Sequence, residues 1–201
     1  VPLLGQFEKT FLSVPAEALI SSMKEHQKYF HVINSSEELL PAFITVANIV
    51  SKDPKQVIAG NERVIRPRLA DAAFFYENDA KQSLERRRET LKKVVFQDKL
   101  GSVFDKTARV AATAEALSNF TAADPLLARR AAELSKSDLV SDMVGEFADL
   151  QGIMGRYYAL NDGEDQQVAE AQLEQYLPRF SGDEVPSTEV GTTLALADKL
   201  D

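Results

Sequence analysis

The chain has 201 residues, 44% of them hydrophobic and 27% charged, which suits one substantial or two small globular domains and excludes extended disorder. Its net charge of −8 argues against a general nucleic-acid binder, and the lack of cysteine excludes disulfides, iron–sulfur clusters and thiolate zinc sites. No apolar run approaches the roughly 18 residues of a membrane span, and residues 1–9 show no basic-then-apolar leader, so neither embedding nor export is expected and a cytoplasmic setting fits.

Residues 3–11 have a strand pattern. Pro15 suits a first helical turn, and Ala18, Leu19, Ser22, Met23 and His26 follow at helical spacing. Tyr29 to Ile33 is aromatic and β-branched, residues 34–38 (Asn-Ser-Ser-Glu-Glu) supply turn chemistry, and Pro41 to Val46 resumes the strand character, which together predict a hairpin. Asp53-Pro54 opens a helix with Val57 and Ile58 inward, and Gly60-Asn61 reads as a break. Beyond Pro67, Leu69, Ala72, Ala73 and Tyr76 make one apolar helical stripe, broadened by Phe74 and Phe75. Residues 81–97 stay helical in pattern and become strongly basic, forming the connection between two units.

After Gly101 everything reads as helix. Val103, Phe104, Val110, Ala111, Ala114 and Leu117 make one stripe; Asp124-Pro125 supplies a cap and a first-turn proline; Leu127, Ala131, Leu134 and Asp138 make the next. Met143, Phe147 and Leu150 extend the helical pattern, residues 165–177 are amphipathic, and residues 177–183 form a loop. Ser187 or Thr188 caps a last helix with Val190, Leu194 and Ala197 inward. The fold class is therefore an α+β N-terminal portion followed by an all-α bundle, predominantly helical. The opening inside a strand pattern and the finish inside a helical one read as an excised piece.

Charge is unevenly placed: residues 1–100 carry +2 and residues 101–201 carry −10. Ten basic and six acidic side chains lie between Arg63 and Lys99, so a phosphate-facing surface belongs there. Its candidates are Arg63, Arg66 and Arg68 around Pro67, then Arg86, Arg87, Lys92 and Lys93. The planar guanidinium fork suits phosphate, and Pro67 restricts the backbone between Arg66 and Arg68. The alternative is structural, with these arginines paired to Glu62, Asp71 and Glu77.

Other constellations are less specific. Asp138, Asp142 and Glu146 are spaced four apart and can line up along one helix, but no phosphate-binding loop accompanies them. His26 and His31 lie five apart across a helix-to-strand change, a spacing that defines no shared metal geometry. Gly152-Ile153-Met154-Gly155 has the spacing of a nucleotide-backbone clamp, although close helix packing or a helix break explains it more economically.

The run GNERVIRPRLADAAFFYENDAK at residues 60–81 resembles the β subunit of bacterial two-subunit glycyl-tRNA synthetases. So do EHQKYFHV (25–32), LLPAFITVANI (39–49), SDLVSDMVGEFADLQGIMGRYYAL (137–160) and YLPRFSGDEVPSTEVGTTLALADKLD (176–201), in order and over nearly the whole chain. The resemblance implies a central fragment of a subunit several times longer. It also implies a first domain over residues 1–80, similar to the editing-type domain of phenylalanyl-tRNA synthetase, and a degenerate HD-like helical domain over residues 81–201. The expected partners are an α subunit, in a heterotetramer of two α and two β subunits, and tRNA(Gly). The resemblance implies that the α subunit holds the class II core that uses glycine and ATP, with ATP and Mg used by the complete enzyme; this piece is expected to hold no cofactor and no catalytic residue of its own.

In HD phosphohydrolases a first histidine, a His-Asp pair and a later aspartate hold the metal. The matching positions here are Lys106, Ser137-Asp138 and Asp198, so both histidines are missing and no metal is expected. Lys106 is expected to converge with Asp138 and Asp198 and neutralise them, and Asp138 is expected to be buried because it falls in step with Ala131 and Leu134. Two other readings stay open: a metal-dependent HD-type phosphohydrolase, and a protein-interaction scaffold without RNA contact.

Overall fold

The computed structural model describes residues 1–201, with the side chain of His26 outside the description. The chain divides into two compact units, Val1–Asn78 and Asp79–Asp201. No helix among the described residues is long and apolar enough to cross a membrane.

The first unit holds an antiparallel sheet of β1 (Pro2–Gln6), β2 (Phe30–Ile33) and β3 (Leu39–Val46), in the order β1-β3-β2. The expected hairpin forms because Asn34 closes the turn, its side-chain oxygen accepting from the Ser36 and Glu38 amides at 2.8 and 2.9 Å. The strand expected over residues 3–11 is shorter: a 3-10 turn occupies Lys9–Ser13. Helix α1 (Ala16–Ser21) runs into a π-helical turn, Ser22–His26. Phe43 is the centre of the core, fully buried and stacked on Tyr29 with ring centroids 4.6 Å apart.

Helix α2 (Pro54–Asp79) is continuous through both Gly60-Asn61 and Pro67, so the expected break is absent. Local break signals are overridden by tertiary and back-bonded contacts: the Asn61 side chain accepts from the Tyr29 hydroxyl at 2.6 Å and donates to the Val57 carbonyl at 2.7 Å. Pro67 has no amide hydrogen for the Arg63 carbonyl, but both residues are exposed, which leaves that carbonyl to water. Leu69 and Ala72 of the expected stripe are buried together with Ile65, whereas Ala73, Phe75 and Tyr76 are only half-buried and Phe74 is exposed, so it does not broaden the inward face.

The second unit begins with α3 (Leu84–Arg88) and a 3-10 turn (Glu89–Lys93). The all-helical expectation fails briefly here, since β4 (Val95–Gln97) and β5 (Gly101–Ser102) pair as a small antiparallel ladder. The helices α4 (Val103–Thr121), α5 (Pro125–Leu134), α6 (Asp142–Glu146), α7 (Ile153–Asn161), α8 (Gln166–Glu174) and α9 (Glu189–Leu200) then form the bundle. Their starts follow from capping chemistry. Ser102 and Asp105 make a reciprocal box at α4, Asp124 accepts from the Leu126 and Leu127 amides at α5, and Thr188 accepts from the Gly191 amide at α9. Alanines 111, 114, 128, 131, 132, 171 and 197 line the interior, so α4, α5, α8 and α9 pack closely around Leu134, Val168, Val190 and Leu194.

Candidate functional site

The three arginines of the α2 segment are all exposed. At about 100° per residue, Arg63 and Arg66 lie about 60° apart around the helix, whereas Arg68 lies about 140° from Arg63. They therefore form a pair and an outlier. Arg66 is held by Glu8 at 2.6 Å, a partner that differs from the expected Glu62, Asp71 or Glu77; the Glu62 carboxylate instead accepts from the Gln6 amide at 2.9 Å. Among the described residues no ion pair engages Arg63 or Arg68.

The basic run that follows splits between surface and interior. Arg86 and Lys93 are exposed, and Lys92 pairs with Glu89 at 2.6 Å and lies 4.5 Å from the centroid of the Phe104 ring. Arg87 is different. Its guanidinium is buried, donating to the Asp79 carboxylate at 2.9 Å and to the Asp79 carbonyl at 2.7 Å, so it is not presented to a phosphate. Asp79, the last residue of α2, also accepts from the Asp142 and Met143 amides at 3.0 and 2.9 Å and from the Tyr158 hydroxyl at 2.9 Å. Its acceptor capacity is filled, which makes the buried pair tolerable. No sequence periodicity marks Asp79 as an anchor.

Of the three residues expected to converge, Lys106 and Asp198 meet in the second unit, whereas Asp138 takes other partners. The Lys106 ammonium lies 3.2 Å from Asp198 Oδ1 and donates to the Asp198 carbonyl at 3.1 Å and to Asp201 Oδ2 at 3.3 Å. Asp138 is not among them. The second cation at Asp198 is Lys136, 2.9 Å from Oδ2 and 4.0 Å from the centroid of the Tyr176 ring. Lys136 escaped the sequence reading because α5 stops at Leu134 and Lys136 turns the chain with a left-handed φ of 63°. Ser137 and Asp138 therefore lie in a 3-10 turn, Ser137–Val140, and Ser141 starts a new helix, which breaks the expected line of Asp138, Asp142 and Glu146.

Asp138 is buried as expected, and it is satisfied by backbone. The Gly152 amide donates to its Oδ2 at 2.6 Å from a residue with φ of 82°, a conformation that suits glycine. A Cβ on Gly155 would lie 3.2 Å from the same oxygen. The two glycines thus serve close packing on a carboxylate and not a nucleotide clamp. Burial raises the Asp138 pKa above the ordinary carboxylate value, opposed by the Gly152 and Gly155 amides and by Lys136. Burial likewise lowers the Lys136 pKa against the pull of Asp198, and burial pushes the Tyr176 phenol up. Asp201 is held below the usual range, chiefly by its hydrogen bond from Arg109 at 2.6 Å.

A small cavity of about 180 Å3 adjoins this cluster, lined by Phe96, Val103, Lys106, Lys136, Gln151 and Tyr176. Two ammonium groups on its wall repel a metal cation, and their acceptors already balance them. Among the described residues no group of three or more His, Cys, Asp or Glu side chains is arranged to hold a metal ion. His31 lies exposed on β2, and the expectation for His26 lies outside the described residues.

The family model for the glycyl-tRNA synthetase beta subunit matches residues 1–201. Among curated relatives, a glycine–tRNA ligase beta subunit from Marinobacter nauticus is 65% identical over 201 residues, covering 100% of this chain and 29% of the relative. The corresponding subunits of Hahella chejuensis (59% over 199 residues, 99% of this chain) and Chromohalobacter salexigens (58% over 201 residues, 100% of this chain) are each also covered over 29% of their length. The chain thus spans under a third of the curated relatives it matches, and its identity with them runs through both units. By this continuous match the chain belongs to the glycyl-tRNA synthetase beta subunit family.

Proposed function

We propose that the chain is a catalytically silent part of a glycine–tRNA ligase β subunit that supports tRNA binding and assembly. In this reading the complete heterotetramer of two α and two β subunits attaches glycine to tRNA(Gly) in the cytoplasm, using ATP and Mg. One observation carries the RNA role of this segment: α2 buries one face and presents Arg63 and Arg68 outward with no ion-pair partner among the described residues, and Arg66 with only an exposed one. Exposed guanidinium forks on a rigid helix suit phosphate positioning without base specificity. In this reading the helical unit serves as a frame, with the Lys106 and Lys136 ammonium groups paired to Asp198.

The test is tRNA binding by the complete α/β enzyme carrying Arg63→Glu, Arg66→Glu and Arg68→Glu together. Affinity falls and the salt slope becomes shallower by about two to three counterions. In glycylation assays KM for tRNA rises more than kcat falls. Unchanged affinity and slope, with the enzyme assembled, would point to a scaffold without RNA contact at this surface.

A further inference from the structure

A second surface of the first unit has features that the arginine reading leaves unused. A groove of about 450 Å3 is lined by Ile20, Lys24, Lys28, Tyr29, Phe30 and His31. Its floor is rigid, because the Tyr29 ring is buried, stacked on Phe43 and tied to Asn61. Its rim is not apolar core. Phe30 is 61% exposed on an edge strand, opposite Ile44 in register, and the side chains of Lys24 and Lys28 are 73% and 76% exposed.

Three departures from regular backbone meet at this groove. The π-helical turn Ser22–His26 carries Lys24, Lys28 adopts a left-handed φ of 56°, and β2 shifts register between His31 and Ile33. Left-handed backbone at a lysine costs about 1 kcal/mol or more, and π turns recur where side chains are aimed for use. Among the described residues the groove lining includes no carboxylate. Glu25 approaches Lys24 and Lys28 only at 3.9 and 3.6 Å in the open, where such pairs contribute little.

We propose that this groove binds an unpaired stretch of RNA, with one base stacked on Phe30 and the flanking phosphates on Lys24 and Lys28. An exposed aromatic ring sharing a groove with two largely exposed lysines, paired only loosely with Glu25, is the combination that single-strand binders use, stacking being indifferent to base identity and the lysines following the backbone. A protein partner would be expected to seal so exposed a phenylalanine with apolar surface, and the two lysines on the rim disfavour that. The site is separate from the α2 arginines, and its test does not need tRNA.

The experiment titrates the 201-residue chain with a short oligouridine carrying one 2-aminopurine, at low and moderate salt. The expected result is salt-sensitive binding with quenching of the 2-aminopurine, which reports stacking. Phe30→Leu keeps an apolar side chain yet abolishes the quenching and weakens binding about tenfold, whereas Phe30→Tyr retains both. Lys24→Glu with Lys28→Glu weakens binding by about tenfold and flattens its salt dependence. Arg63→Glu leaves the quenching in place. Circular dichroism and thermal melts confirm that each variant is folded, as their exposure predicts. The proposal is overturned if the parent chain shows neither binding nor quenching, or if Phe30→Leu quenches like the parent, or if the quenching disappears with Arg63→Glu and survives at Phe30→Leu. Because the probe has no duplex, failure here leaves the arginine-dependent tRNA result to be judged on its own.

Discussion

Arg66 on α2 and Arg87 on α3 stand 21 positions apart in one basic stretch, yet they occupy opposite environments. Arg66 is exposed and pairs directly with an exposed Glu8; Arg87 is buried and shares Asp79 with two amides and a tyrosine hydroxyl. The same side chain is a surface charge in one unit and part of the internal frame in the other. Density of arginine in a sequence therefore locates a region of interest without saying which members face outward. Partner exhaustion does say so: Arg87 has a fixed carboxylate and a carbonyl, whereas among the described residues no ion pair engages Arg63 or Arg68.

The sharpest way to break this contrast is Asp79→Ala. It leaves the Arg87 guanidinium buried without its carboxylate and removes the acceptor for the Asp142 and Met143 amides and Tyr158. We expect a loss of about 4 kcal/mol in urea unfolding of the second unit. A loss similar to that of a surface substitution would mean that the buried network is not a frame.

A smaller effect is expected from Asp138→Asn, and it depends on pH. The folded protein holds the Asp138 proton more tightly than the unfolded chain does, because burial raises the folded pKa. The contribution of Asp138 to stability is therefore greatest at acid pH and falls as pH rises from about 4 through the raised folded value, after which it is level. Asparagine keeps an acceptor for the Gly152 amide and cannot titrate. Unfolding measured across this range should show the parent losing stability relative to the variant; a level difference, or one of opposite slope, would contradict the burial argument.

The smallest effect is expected at the exposed end of the comparison. Arg66→Ala removes only the Glu8 pair and should change stability by about 0.5 kcal/mol or less, within the range of surface ion pairs. A change as large as that at Asp79 would erase the distinction between the two arginines.

Much of this was readable from local chemistry. The hairpin at Asn34, the caps at Asp124 and Thr188, and the inward face of Val190, Leu194 and Ala197 follow from turn, cap and period rules, and all are present. The failures have a common cause. Gly60 and Asn61 signal an interruption, but Asn61 is engaged by Tyr29 from the sheet and the helix persists. Lys136 gave no pattern signal because its role depends on a left-handed turn, and Arg87 looked like its neighbours because burial of a charge depends on an aspartate in the preceding helix. The pairing of Lys106 with Asp198 was legible, whereas the choice of Lys136 as the second cation and of a glycine amide for Asp138 was not.

Lys106 and Lys136 together bring two positive charges to Asp198, the same charge that a divalent ion would deliver. These charges arrive on covalent tethers. They cannot be stripped by a chelator, exchanged for a competing metal or lost when metal supply is short, and they need no loading step after synthesis. The electrostatic balance at the centre of this helical unit is thus inherited with the polypeptide, and it is as durable in a metal-poor cell as in a metal-rich one.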